Sequence, residues 1–311
     1  MDDILIQVLI FVVSLAALLK GSDWFIDSAE EIGLSFGISP FIIGLTIVAF
    51  GTSLPELATS VSSVLHGEST IVIGSVVGSN ITNIALVLGL VAISVRQINM
   101  EYNVWHIDMP FLWGSAFLLW FSLQDQVFSI AEAFLFLAGL AIFLIYSFKN
   151  ERDEEDEKDS KVGAKTYGLL VIGGIFVWLG AEYTIHAISN LSIKAGISPE
   201  IIALTVVAFG TSLPEIIVSI GAARKGKTSI AIGNVLGSNI FNTYCVMSIA
   251  RFFGDLEIPA GILEFSLPMM IVMTILFGVT SNNKKITMWE GLMLILFYVF
   301  YVMQLVRDAS A

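Results

Sequence analysis

Apolar runs of roughly 18 to 25 residues alternate with short polar stretches along the chain, at about 4–30, 41–65, 70–95, 106–122, 128–148, 166–190, 199–223, 229–253, 261–279 and 287–306. As a helix, each run is long enough to cross the hydrocarbon core of a bilayer, so the pattern predicts ten transmembrane helices. A β-barrel would show shorter segments of strictly alternating polarity instead. Composition agrees: 56% of the 311 residues are hydrophobic, 14% are charged and the mean hydropathy is +0.86, well beyond what a soluble domain needs. The expected class is an all-α polytopic membrane protein with the lipid bilayer as its solvent. Met1-Asp2-Asp3 is acidic, and no small-residue cleavage site precedes Gly21-Ser22-Asp23-Trp24, so the first run is expected to be retained and not removed as a signal peptide.

The chain is an internal duplication. Segment 43–90 aligns without a gap on 202–249 at an offset of 159, with about half the positions identical, and Gly37-Ile38-Ser39-Pro40 matches Gly196-Ile197-Ser198-Pro199 upstream. The expected organisation is a first five-helix half at 1–148, an acidic linker at 149–165 and a second five-helix half at 166–311. The linker contains Glu151-Arg152-Asp153-Glu154-Glu155-Asp156-Glu157-Lys158-Asp159, and it lacks the glycine-turn spacing of an EF-hand.

Loop charges give the orientation. With ten helices, one side collects Arg96, Lys149, Arg152, Lys158, Lys161, Lys165, Arg224, Lys225, Lys227, Lys284 and Lys285, against Lys194, Arg251 and Arg307 on the other. The positive-inside rule then places both termini outside and the linker in the cytoplasm. An odd number of helices per half requires the second half to be inverted. The turns agree, since Leu65-His66-Gly67-Glu68 has no Lys or Arg whereas its counterpart Arg224-Lys225-Gly226-Lys227 is strongly basic. Inverted repeats meeting near the midplane are the architecture of secondary transporters.

Against this apolar background, the hexapeptide Gly-Thr-Ser-Leu-Pro-Glu occurs twice, at Gly51 to Glu56 and Gly210 to Glu215. Carboxylates inside a membrane are costly and mark ion or substrate pathways. Pro55 and Pro214 donate no backbone hydrogen bond and are expected to free the carbonyls of Gly51, Thr52, Gly210 and Thr211. Thr52 and Glu56, one turn apart, place a carbonyl, a hydroxyl and a carboxylate on one face, and Thr211 and Glu215 repeat this. The next helix of each half carries a polar stripe, Ser75, Ser79 and Asn83 in the first and Asn234, Ser238 and Asn242 in the second. Oxygen-only donors of this kind suit hard cations such as Ca²⁺ or Na⁺. The plainer reading of a stripe is interhelical hydrogen bonding, but two symmetric stripes beside two buried glutamates favour an ion site. Gly74, Gly78, Gly233 and Gly237 read as packing positions. Asp23 and Glu182, equivalent in helices 1 and 6, read as cation-attracting mouths or simple interface residues; His186 and Trp24, Trp105, Trp178 and Trp289 read as interface residues.

A single cysteine, Cys245, excludes an internal disulfide, and three unclustered histidines argue against zinc or haem. The formal net charge of −12 argues against nucleic-acid binding. No base stands near the hexapeptide serines and threonines, so an intramembrane enzyme is not expected. No cofactor and no obligatory protein partner are evident.

These motifs, with Gly78-Ser79-Asn80-Ile81 and Gly237-Ser238-Asn239-Ile240, resemble those of the calcium/cation antiporters, the family that includes the sodium/calcium exchangers. The resemblance covers about two 75-residue stretches and implies two inverted five-helix halves, four central cation sites and alternating access by helices 1 and 6 moving against the other eight. Position by position it implies Ca²⁺ ligands at Glu56, Glu215 and the carbonyls of Thr52 and Thr211. It implies Na⁺ sites using Ala49, Ser53, Ser79, Ala208, Ser212 and Ser238 with the same glutamates, and a polar role for Asn83. Asn242 departs from the aspartate found in several sodium/calcium and the potassium-dependent exchangers. Two carboxylates balance one Ca²⁺, and three Na⁺ would exceed them by one charge. The function expected is Ca²⁺ exchange for Na⁺ in a prokaryotic inner membrane, with an H⁺/Ca²⁺ antiporter and a cation channel as the alternatives.

Overall fold

The computed structural model describes residues 2–100, 103–105, 108–149, 162–194 and 210–309. Ten helices cross the membrane: α1 (Asp2–Ser35), α2 (Pro40–Leu65), α3 (Thr70–Val95), α4 (Asp108–Ser122) and α5 (Ile130–Lys149), then α6 (Ala164–Lys194), α7 (Leu213–Arg224), α8 (228–253), α9 (Ile262–Ser281) and α10 (Met288–Ala309). Seven of them meet length and hydropathy criteria for a span among the described residues. The other three have visible reasons for falling short. α4 has 15 residues, α7 begins at the edge of the described segment, and α8 carries Asn234, Asn239 and Asn242. Two short strands, β1 (Gln97–Asn99) and β2 (Lys285–Thr287), pair antiparallel at one face.

Local chemistry sets the boundaries, and it does so twice. The turn after α2 closes with Glu68 N–H donating to the Ser63 carbonyl at 2.8 Å, and the turn after α7 with Lys227 N–H donating to the Ala222 carbonyl at 2.9 Å. In both, the glycine required by this helix ending, Gly67 or Gly226, adopts the left-handed conformation, at φ 79° and 80°. The fifth helix of each half starts with a reciprocal cap. Ser129 N–H donates to Glu132, whose own N–H donates to Ser129 Oγ; Thr287 and Glu290 repeat the exchange.

The two equivalent turns lie on opposite faces. On the His66 face, Glu257 N–H donates to Ser69 Oγ at 3.2 Å and Glu257 bridges to Val127. On the Lys225 face, Thr228 Oγ1 donates to the Asn99 carbonyl and the β1–β2 pair closes the loops at 96–100 and 284–288. The halves are therefore inverted relative to each other.

Burial separates centre from rim. The most apolar window of α3 is 83% buried, that of α1 only 17%, so α3 is interior and α1 faces lipid. α2, α3, α7 and α8 form the centre. α5 packs on α8, where Gly139 accommodates Tyr244, and α10 packs on α3, where Gly89 meets the Gly291 carbonyl. Gly233 and Gly237 of α8 bear directly on the backbone of α2 at Phe41 and Leu45, so any Cβ there would clash. At the rim, α1 and α6 cross closely through Gly21, Gly173 and Gly180, with Ser14 and Thr184 hydroxyls 2.9 Å apart.

Candidate ion site

Both hexapeptides lie at the centre, and each half holds the other's. Ser53 Oγ, from the first copy, donates to Glu215 Oε1 at 3.1 Å. Thr52 Oγ1 donates to Asn234 Oδ1 at 3.1 Å and lies 3.5 Å from Ser238 Oγ. From the second copy, Thr211 Oγ1 is 3.1 Å from Ser79 Oγ. Ala49 is buried one turn before Ser53, and its carbonyl also faces the Thr52 hydroxyl at 3.3 Å. The structure thus brings Thr52, Ser53, Ser79, Thr211, Glu215 and Ser238 together. Glu56 and Ser212 are buried beside their hexapeptide neighbours; Ala208 lies outside the described residues, as do 150–161 of the linker.

What most distinguishes this centre is buried oxygen without a protein partner. Among the described residues, both carboxylate oxygens of Glu56, Oε2 of Glu215, the Ser212 hydroxyl and both side-chain amide atoms of Asn83 and of Asn242 have no hydrogen-bond partner. Burying such groups unpaired costs free energy. Groups of this kind, all oxygen or amide, could hold a hard cation.

The backbone differs from the expectation based on proline alone. α2 remains helical through Pro55, with a π-helical turn upstream at Gly44–Val48. In the second half a turn at Thr211 and Ser212 precedes α7, with Pro214 in its first turn, where a missing N–H costs nothing. Asn83 and Asn242 each begin a π-helical turn, Asn83–Leu88 and Asn242–Val246, a distortion concentrated at functional sites.

Sequence reasoning overlooked Ser219, Ser60 and Thr243, the first and last of which partner asparagines it had singled out. Asn234 Nδ2 donates to Ser219 Oγ at 2.9 Å, and Asn80 Nδ2 to Thr243 Oγ1 at 2.8 Å. Ser219, and its equivalent Ser60, follow the glutamates by four residues, a spacing that would have placed them on the same helical face. Asp23, read as a cation-attracting mouth or a simple interface residue, is ion-paired to Lys225 at 2.8 Å. Lys225 also pairs with Asp27 at 2.9 Å, and Lys227 with Asp27 and with Glu30 at 2.8 Å. Glu182, equivalent to Asp23, instead lines a polar cavity of about 550 Å³ with Pro55, Thr59, Ser62, His66 and Trp178 on the His66 face. His186 meets Asn190 within α6, and Trp289 is exposed at the rim.

Ten helices in two inverted halves around a shared polar centre define a secondary-transporter architecture. A family model described as sodium/calcium exchanger protein matches residues 6–149 and 165–306, and the chain belongs to that family. It is 33% identical to the sodium/calcium exchanger MaX1 of Methanosarcina acetivorans, over 97% of this chain and 99% of that protein. It is 31% identical to the inner membrane protein YrbG of Escherichia coli over 90% of each. Among solved structures, it is similar to the sodium-calcium exchanger NCX_Mj soaked with 2.5 mM Na⁺ and 0.1 mM Ca²⁺, at 32% identity and a TM-score of 0.84 over 96% of this chain and 98% of that one.

Proposed function

We propose that this protein exchanges Ca²⁺ for Na⁺ across the membrane by alternating access, with Glu56 and Glu215 as the central Ca²⁺ ligands. The observation that carries the proposal is the pair of buried carboxylates from inverted halves, three of whose four oxygens have no hydrogen-bond partner among the described residues. Two carboxylates balance the charge of one Ca²⁺. The carbonyls of Thr52 and Thr211 complete its shell, while Ala49, Ser53, Ser79, Ala208, Ser212 and Ser238 serve Na⁺ with the same glutamates. Asn83 and Asn242 supply neutral amides at the flanks. Family membership supports this assignment, since MaX1 and NCX_Mj are named as exchangers of these two ions.

The halves 1–148 and 166–311 are the moving parts' scaffold and 149–165 their cytoplasmic linker. The basic Lys225 face lies in the cytoplasm and the termini outside, as the loop charges require. The similarity to the inner membrane protein YrbG supports a cell inner membrane. The test is labelled Ca²⁺ uptake into proteoliposomes against imposed Na⁺, H⁺ and K⁺ gradients in turn. Uptake that follows only the Na⁺ gradient is the expected result; uptake driven by a pH gradient without Na⁺ overturns the coupling.

A further inference from the structure

The duplication offers an internal control one turn from the centre. In the second half, Ser219 stands four residues after Glu215 and Asn234 four residues before Ser238. The Asn234 side chain joins them to the other half, donating to Ser219 Oγ at 2.9 Å and accepting from Thr52 Oγ1 at 3.1 Å. This flank lies toward the Lys225 face, and the protein fills it with its own carboxamide.

The mirror flank lies toward the His66 face. Its residues, at the offset of 159, are Ser60 after Glu56 and Ser75 before Ser79. Serine replaces asparagine at 75, and a hydroxymethyl group lacks the reach of a carboxamide. Ser60 is 1% exposed and Ser75 6%, yet among the described residues neither hydroxyl has a hydrogen-bond partner, and neither do the Glu56 oxygens on the same face of α2. Thr211, the mirror of Thr52, reaches Ser79 but not Ser75. The polar cavity on the His66 face runs down to Pro55 and Thr59, the residues preceding Glu56 and Ser60. Two hydroxyls and a carboxylate, oxygen-only and carrying one negative charge, match a hard monovalent cation and leave no cost in net charge.

We propose that Ser60, Ser75 and Glu56 form a Na⁺-binding position on the His66 side of the centre, and that Asn234 makes the opposite flank unequal by occupying the corresponding position itself. This rests on the exchange reading only for the identity of the ion. The experiment is thermal unfolding of the purified full chain titrated with NaCl against choline chloride, and separately with Ca²⁺. Substituting Ser75→Asn copies the filled flank and weakens apparent Na⁺ affinity about tenfold, while Ser60→Ala, which adds no volume, weakens it about threefold, the scale of one lost oxygen contact. Ca²⁺ affinity shifts less than about twofold in both. Unchanged Na⁺ affinity in both variants, as for a flank holding water only, overturns the proposal, and so does an equal loss of Na⁺ and Ca²⁺ binding. Wild-type flux is measured in parallel. Na⁺-driven flux with Na⁺ binding indifferent to both substitutions removes this proposal alone; flux on a pH gradient alone, with Na⁺ binding still lost in Ser75→Asn, removes the exchange reading alone.

Discussion

Residues 51–56 run inside an unbroken helix, whereas the same six residues at 210–215 cross a turn before α7 begins at Leu213. The glutamates differ accordingly: Glu215 accepts the Ser53 hydroxyl, and the Glu56 carboxylate has no hydrogen-bond partner among the described residues. Around them the polar mouths differ too, with Asp23 held in ion pairs on the Lys225 face and Glu182 lining an open cavity on the His66 face. Identical sequence thus sits in unequal surroundings, because each copy is completed by residues of the other half and those residues are not the same. An inverted pair must be unequal at any instant if only one side is open, and here part of the inequality is written into the chain, as Ser75 against Asn234.

The largest expected effect tests what the two copies share. Glu56→Gln and Glu215→Gln each lower Na⁺-driven Ca²⁺ uptake by about a hundredfold or more, as for removing one carboxylate from a buried ion site; normal flux in both would sink the assignment. Their stabilities should separate them. A buried carboxylate without a partner is costly, so Glu56→Gln raises the unfolding temperature of the ion-free protein more than Glu215→Gln does, measured in chelator and choline chloride. Next, Asn234→Ala strands the Ser219 hydroxyl, removes the shortest of the Thr52 hydroxyl's contacts and destabilises by about 1–3 kcal/mol, whereas Ser75→Ala stays within about 0.5 kcal/mol in the same denaturation assay. Equal costs would show that the two flanks are not unlike after all.

The smallest effect concerns the Lys225 face. Lys225→Gln or Lys227→Gln costs about 0.2–1 kcal/mol, less at high salt, since these pairs are partly exposed. At Lys227, burial lowers the pKa, but the hydrogen bonds and charges of Asp27 and Glu30 outweigh it and hold the pKa above the usual lysine value. The raised pKa makes this contribution complete at neutral pH and lost only as pH climbs past the ordinary lysine range. A melting temperature that drops between pH 7 and 9 through loss of these pairs would contradict that.

Much of this was legible beforehand because the molecule repeats itself. The offset of 159, the paired glutamates and the stripes on α3 and α8 each appear twice, and the lengths of the apolar runs match the helices to within a few residues at most ends. What stayed hidden depends on tertiary approach. Nothing local to Ser53 says that it reaches Glu215, 162 positions away, rather than the glutamate of its own hexapeptide. Nothing in α1 says that Asp27 meets lysines about 200 positions on. The π-helical turns at Asn83 and Asn242 also leave no periodicity signal, since a single extra residue in a helix is smaller than the noise of an all-apolar pattern.

α1 has 34 residues and α6 has 31, against 20 in α5 and in α9. At 1.5 Å per residue the first two extend about 51 and 46 Å, well beyond a hydrocarbon slab of about 30 Å. Glycine contacts bind them into one unit at the lipid-facing rim, so the pair must tilt as a body or project its ends into the headgroups. Membrane thickness is consequently a mechanical load borne unevenly: a thicker or thinner bilayer changes the preferred tilt of these two helices far more than that of the 20-residue ones.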